Sequence, residues 1–257
     1  MTQPNNTARA AALRGYCARI LGWANAGAVE SALRSIQLSV SHRAALVLLG
    51  DTDLVSIAHA LHRRTIGADQ PFVLCDPRRT DPRASVRAPT SCESGVAAVR
   101  AALGGSLCVL RRRIPRDLRS MAMLLRGPDA PVQLIVCADA SHDLDPFLLR
   151  PAPILIPPLR ARASELPRIV DEYARDAIST LGADATGFAD ADRTWVLEHA
   201  AGSLSEIEKA TLRIVALRQT GSIVQAAIRL GMSHVALSQW IGRRRIGRGS
   251  NAPKGGQ

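Results

Sequence analysis

The side chains best placed to do chemistry lie near the C-terminus, in GSIVQAAIRLGMSHVALSQWIGRRR (221–245). Ile223, Ala226, Ala227 and Leu230 recur at the spacing of one helical face, and the small alanines permit a close crossing with a neighbouring helix. Gly231 supplies the left-handed backbone that a tight turn between helices needs, and Met232 can plug the corner. Ser233 then caps a second helix whose Leu237 and Ile241, four apart, face inward. That leaves His234, Val235, Ser238 and Gln239 outward in the first turns of a helix able to enter a major groove. Gln239 can contact adenine with two hydrogen bonds, while Ser238 and His234 can bond several base edges. Arg243, Arg244 and Arg245 at the far end suit phosphates and favour the helix C-terminus. Ser233, His234, Val235, Ser238, Gln239, Arg243, Arg244 and Arg245 thus form the candidate DNA-binding set. The competing reading is a helical hairpin with a basic solvated end.

Other chemically suggestive residues carry less. His59 and His62 lie three apart on one predicted helix, but no third ligand has suitable spacing, so a helix-surface or packing role is expected. RRRIPR (111–116) reads as a solvated basic loop rather than a second phosphate-contacting cluster. Ser141, His142, Asp143 and Asp145 hold the ingredients of nucleophilic catalysis only by composition, because adjacent residues do not point at one another as a triad requires. Cys17, Cys75, Cys92, Cys108 and Cys137 are odd in number, widely spaced and without CxxC, which implies a reducing compartment; Cys75, Cys108 and Cys137 sit in or at the end of apolar runs as small hydrophobes. No catalytic, cofactor-binding or metal-ligating set is expected, and no cofactor.

Five short apolar runs must form the scaffold: 44–50, 71–75, 106–110, 132–138 and 153–156. Their length and lack of polar alternation suit strands buried on both faces. Helical segments at 54–64, 95–103 and 114–126 alternate with them, Pro115 falling in an early helical turn, so a parallel α/β sheet is expected. After Pro157 and Pro158 only helices follow. The first, capped by Ser164, carries Leu166, Ile169, Val170, Tyr173, Ala177 and Ile178 on one face; two more span 190–199 and 204–217. Of the residues, 47% are apolar and 21% charged, a globular composition, and with 3% aromatics the core must be aliphatic. The net charge of +11 favours polyanionic partners. It concentrates where the chemistry is: from residue 206 onward nine basic side chains face only Glu206 and Glu208.

At this point the chain resembles the bacterial enhancer-binding activators of sigma-54 RNA polymerase, which join an AAA+ ATPase domain to a Fis-type helix-turn-helix. The resemblance covers about residues 28–245 and is carried by IPPLRARASELPRIV (156–170), similar to the family's LPPLRER-EDIP-L stretch, and by AAIRLGMSHVALSQWI. Weaker echoes are LLGDTDLVSIAHALH with PFVLCD, similar to the P-loop helix and following strand, and GGSLCVL, similar to GGTLFLDE. The departures fall on the catalytic elements. GDTDLVSIAHALH is about two residues short as a P-loop, with no internal glycines and no lysine. Leu110 and Arg111 stand where Walker B carboxylates should hold Mg²⁺, Asp139 at the sensor asparagine position and Ser205 at the sensor arginine position. Arg150 is at most a remnant of the arginine finger, and RASVRAPTSCESGVAAVRA contains nothing similar to the GAFTGA loop.

The expected fold is therefore a P-loop-like, AAA+-like parallel α/β sheet domain followed by an all-α lid and a C-terminal helix-turn-helix. The expected division is an N-terminal helical extension (1–27), a degenerate AAA+-like domain (28–160), a lid (161–203), a Fis-type DNA-binding domain (204–246) and a disordered tail (247–257). The expected function is a non-enzymatic, sequence-specific DNA-binding transcriptional regulator, its pseudo-ATPase body serving oligomerisation or docking. The alternatives are an ATP-dependent sigma-54 activator with diverged motifs, or an interaction protein that modulates another AAA+ activator. Double-stranded DNA is the expected partner, with a homo-oligomer, in which the 204–217 stripe (Leu204, Ile207, Ala210, Thr211, Ile214, Leu217) meets a partner helix, and RNA polymerase or an AAA+ activator as further candidates. No hydrophobic run approaches a membrane span, and a cytoplasmic, nucleoid-associated location is expected.

Overall fold

The computed structural model describes residues 3–42, 44–51, 53–78, 86, 89–127, 131–139 and 152–244. Two helices, α1 (Gln3–Leu21) and α2 (Ala26–His42), precede β1 (Leu46–Leu49) and α3 (Leu54–Thr65). β2 (Phe72–Cys75), β3 (Thr90–Cys92), α4 (Gly95–Ala101), β4 (Ser106–Leu110), α5 (Leu118–Arg126), β5 (Gln133–Ala138) and β6 (Ile154–Leu155) complete the α/β part. Then follow α6 (Leu166–Leu181), α7 (Asp190–His199), α8 (Leu204–Thr220), α9 (Ile223–Leu230) and α10 (His234–Arg244).

The strands form one six-stranded sheet, ordered β3-β2-β4-β5-β1-β6, with every pairing parallel. This is the parallel α/β sheet expected, followed by the expected all-helical C-terminal region. Strand burial explains the absence of polar alternation. Leu46, Leu48, Cys108, Ile135 and Cys137 pack into the main core, whereas Val73, Cys75, Leu107 and Val109 meet Ala98, Val99 and Met121 of α4 and α5 on the opposite face. Gly104 and Gly105 turn the chain into β4. Gly104 has a φ of 79°, and a Cβ on Gly105 would lie 1.9 Å from the Pro71 carbonyl oxygen, which accepts the Ser106 N–H.

Several local expectations need correction. α5 begins at Leu118 rather than Ile114, because residues 111–113 form a 3₁₀ turn after β4. Within that turn Arg113 Nη1 lies 2.6 Å from the buried carboxylate of Asp76, and Arg112, itself largely exposed, pairs with Asp139, so two arginines of this solvent-facing cluster also tie strand ends. Ser164 does not cap α6; it lies in a 3₁₀ segment (Leu159–Glu165) and Glu165 holds the cap position. Arg162 explains that segment: it is buried, donates to the Arg19 and Ile20 carbonyls at 2.8 Å, and so caps the last turn of α1, while Glu165 accepts its charge at 2.6 Å.

The packing of α8 overturns one further expectation. Leu204, Ile207, Ala210, Thr211 and Ile214 are buried and Leu217 half-buried, packed within this chain, with α6 as the main neighbour. The stripe is already covered within this chain and is not open to a partner helix. α6 answers with Ile169, Val170, Tyr173 and Ala177 buried and Leu166 and Ile178 half-buried.

Candidate nucleic-acid interface

α9 and α10 form two short helices about a glycine corner. Ser222 caps α9, its Oγ accepting from Gln225 N–H, and Ala226, Ala227 and Leu230 are buried, with Ile223 half-buried. At the corner Gly231 takes φ 63° and ψ 32°; its N–H donates to the Ile228 carbonyl and that of Met232 to Ala227. These bonds satisfy carbonyls that the end of α9 would otherwise leave open. Met232 is buried beneath the turn. The Ser233 carbonyl opens α10 by accepting from Leu237 N–H at 3.1 Å.

α10 divides cleanly into two faces. Leu237 and Trp240 are buried and Ile241 half-buried. His234, Val235, Ser238, Gln239 and Arg243 are exposed and Ser233 half-buried, so the structure brings the expected base-reading residues onto one open surface. Arg243 Nε donates to the Gln239 carbonyl at 3.2 Å, a cation on the C-terminal turn where the helix dipole favours one. Arg244 ends the helix, and Arg245 lies outside the described residues. Arg229, also exposed, adds a cation on α9.

Trp240 is not among the residues expected from the sequence, although its signal is there: Leu237, Trp240 and Ile241 are spaced i, i+3, i+4. Its ring meets Trp195 of α7 edge-on at 5.6 Å, and the Arg213 guanidinium of α8 sits 4.8 Å from its centre. The outward face is therefore held by an anchored inward one.

A second region sits at the carboxyl ends of the strands, where open α/β sheets bind ligands. Here the carboxylates have basic partners from their own chain. Asp76, after β2, pairs with Arg113; Asp139, after β5, with Arg112; and Asp53, between β1 and α3, with Lys209 of α8 at 3.1 Å. Burial pushes Asp53 up, but the Lys209 charge and hydrogen bonds from Ser205, Lys209 and Ser56 outweigh it and hold the carboxyl below its ordinary value. Leu110 is half-buried at the end of β4, and Arg111 opens the 3₁₀ turn. Arg150, Ser141, His142, Asp143 and Asp145 lie outside the described residues.

His62 is a packing residue. It is buried, its Nδ1 lies 2.8 Å from Ser106 Oγ and its Nε2 3.0 Å from the Gln70 carbonyl, and burial lowers its pKa. His59 stacks on Phe72 at 4.6 Å. Burial pushes the Cys75 thiol up to about 11, and the hydrogen bond with Cys108 together with burial raises that of Cys137, as suits small core hydrophobes. Among the described residues no three His, Cys, Asp or Glu side chains gather into a metal-holding group, and no helix is long and apolar enough to cross a membrane.

No family model matches the chain, and no curated protein matches it significantly. Among solved structures, it is similar to NtrX from Brucella abortus in complex with ADP, at 14% identity and a TM-score of 0.43, and in complex with ATP, at 14% identity and a TM-score of 0.44. Each match covers 85% of this chain and 68% of that one.

Proposed function

We propose that the protein is a sequence-specific DNA-binding transcriptional regulator of the enhancer-binding type, whose Fis-type helix-turn-helix reads the duplex through α10 and whose AAA+-like body does not hydrolyse ATP. One observation carries the DNA-binding part: His234, Val235, Ser238, Gln239 and Arg243 are exposed together on a helix whose opposite face is anchored by Leu237 and Trp240. A rigid helix presenting amide, hydroxyl and imidazole groups in its first turns and cations in its last is suited to a major groove flanked by phosphates.

The loss of catalysis is supported at the sheet's carboxyl edge. Phosphoryl transfer needs carboxylates free to hold Mg²⁺ and cations free to meet phosphates, yet Asp76, Asp139 and Asp53 are paired with Arg113, Arg112 and Lys209. The cleft between Asp51, the 156–160 segment and the start of α8 measures about 140 Å³, below the roughly 300 Å³ at which small-molecule pockets begin. Without nucleotide chemistry the body serves as a platform for oligomerisation or for docking RNA polymerase or an AAA+ activator. The exposed Ile114, Leu118, Met123 and Leu124 on and beside α5 support a docking use.

Genome-wide occupancy of the full chain tests this reading against a His234→Glu/Gln239→Glu variant, which changes only exposed side chains. Discrete sites are expected for the parent and their loss for the variant. Occupancy retained by the variant would contradict DNA reading through α10. Purified protein is expected to release phosphate from ATP and Mg²⁺ only at background; release abolished by a substitution at Gly50 would contradict the loss of catalysis.

A further inference from the structure

We infer that Asp53 is a positioning residue: a built-in anion that clamps α8, and with it the recognition helix, to the carboxyl edge of the sheet. Asp53 occupies the cap position of α3 but makes no side-chain bond to that helix's backbone. Its Oδ2 instead accepts from Ser205 Oγ at 2.9 Å, Lys209 Nζ at 3.1 Å and Ser56 Oγ at 3.1 Å. Two of these donors come from α8, more than 150 residues away in sequence, and four apart they share one helical face.

The carboxylate lies where charge favours it: the N-terminus of α3 carries a partial positive charge and Lys209 a full one, and the Asp53 anion between them offsets both where α8 docks. Ser205 is buried and donates its hydroxyl to this carboxylate, while its Oγ also lies 3.1 Å from Ser56 Oγ, so the two serines and the anion form one small network. The clamp continues along α8. Arg213, one turn beyond Lys209, lies against the Trp240 ring of α10, and Arg218 Nη2 donates to Asp192 of α7 at 2.8 Å. A carboxylate in the α/β part thereby fixes the helix that presents Gln239; this second half of the inference rests on the DNA-binding reading.

The test uses the full chain carrying Asp53→Ala, Asp53→Asn or Lys209→Met. Amide exchange in the first turns of α8 and in α10 is expected to accelerate about tenfold in each, the loss appropriate to a charge-assisted hydrogen-bond set. Inorganic phosphate, against chloride at matched ionic strength, is expected to restore protection and melting temperature in Asp53→Ala. It should leave the parent and Asp53→Ala/Lys209→Met unchanged, because the parent holds its own anion and the double variant lacks the cation. Should Asp53→Ala fail to fold, the exchange rates of Lys209→Met and Asp53→Asn decide the clamp. Unaltered exchange in α8, or phosphate acting equally on the parent and Asp53→Ala or on neither, would overturn the anion's role. DNA titration is a separate readout: a loosened α8 with unchanged DNA affinity would overturn the link to α10. Absence of DNA binding in the parent would count against the DNA-binding reading alone.

Discussion

Asp117 illustrates how single residues hold this chain together. Its carboxylate accepts from Val96 N–H at 2.9 Å, Gly95 N–H at 2.8 Å and Ser94 Oγ at 2.8 Å, so the residue before α5 caps α4. Those bonds, the backbone ones foremost, pull its pKa down to about 2. A depressed carboxyl contributes stability that is complete above its unfolded value of about 4 and is lost as the pH falls through the folded one. Solvent screening limits the effect to that of an ordinary cap, so Asp117→Ala should cost about 1 kcal/mol at neutral pH. It should also flatten the stability profile between about pH 4 and 2. Urea melts along that range check this; an unchanged acid slope would contradict it. Gly105→Ala should be harsher, about 3 kcal/mol, because the new Cβ meets the Pro71 carbonyl and prises β4 from β2. An unaltered urea midpoint would refute that. At this scale the outward residues of α10 were legible because a 3.6-residue period fixes which side chains share a face. The pairing of Asp53 with Lys209 was not, since nothing in local sequence records an ion pair made across the whole chain.

The elements were legible where burial leaves a compositional trace. β1, β2, β4 and β5 appear as apolar runs because both sheet faces are covered there, β6 is an apolar edge strand with Leu155 exposed, and α6 and α9 appear as stripes because one face is covered. β3 leaves no such trace: Thr90, Ser91 and Cys92 form an edge strand of three residues paired only with β2 and carry no apolar run. Ser164 has good capping chemistry, yet α6 starts later because the chain first makes a 3₁₀ turn that delivers Arg162 to the end of α1. Much of the IPPLRARASELPRIV segment is therefore explained by helix docking. Removing Arg162 would strand two carbonyls and the Glu165 carboxylate, so Arg162→Ala should cost about 2–3 kcal/mol. Arg162→Lys should recover little, because one ammonium does not reproduce the planar fork that bonds Arg19, Ile20 and Glu165 together. Thermal melts of the three proteins decide this; full recovery by lysine would contradict the geometric account.

Across the whole molecule a single continuous core runs from Tyr16 and Ile20 of α1, through the sheet, to Leu237 and Trp240 of α10. The composition change after Pro158 marks where strands give way to helices, but packing crosses it: Arg19 of α1 bonds Glu172 and Asp176 of α6, and Arg64 of α3 reaches Asp176 as well. α10 is thus packed into the same body as the sheet, and Asp76, Asp139 and Asp53 at the sheet's carboxyl edge are paired with Arg113, Arg112 and Lys209. On the proposed reading fold and catalysis part company, because strands need only apolar residues, whereas phosphoryl transfer needs particular charges left free. On the proposed reading α10 reads DNA, its first turns choosing sequence and its last turn holding phosphates. Fluorescence titration of the full chain on selected and random duplexes, over a range of salt concentrations, separates these two roles. Arg243→Ala/Arg244→Ala/Arg245→Ala should weaken binding to both duplexes and flatten the log-log salt dependence by roughly 0.9 for each phosphate no longer neutralised. Gln239→Ala should reduce discrimination between the duplexes by about 1–3 kcal/mol and leave the salt slope nearly unchanged. If the arginine and glutamine variants behaved alike, or if neither altered binding while the fold stayed intact, α10 would not be a recognition helix.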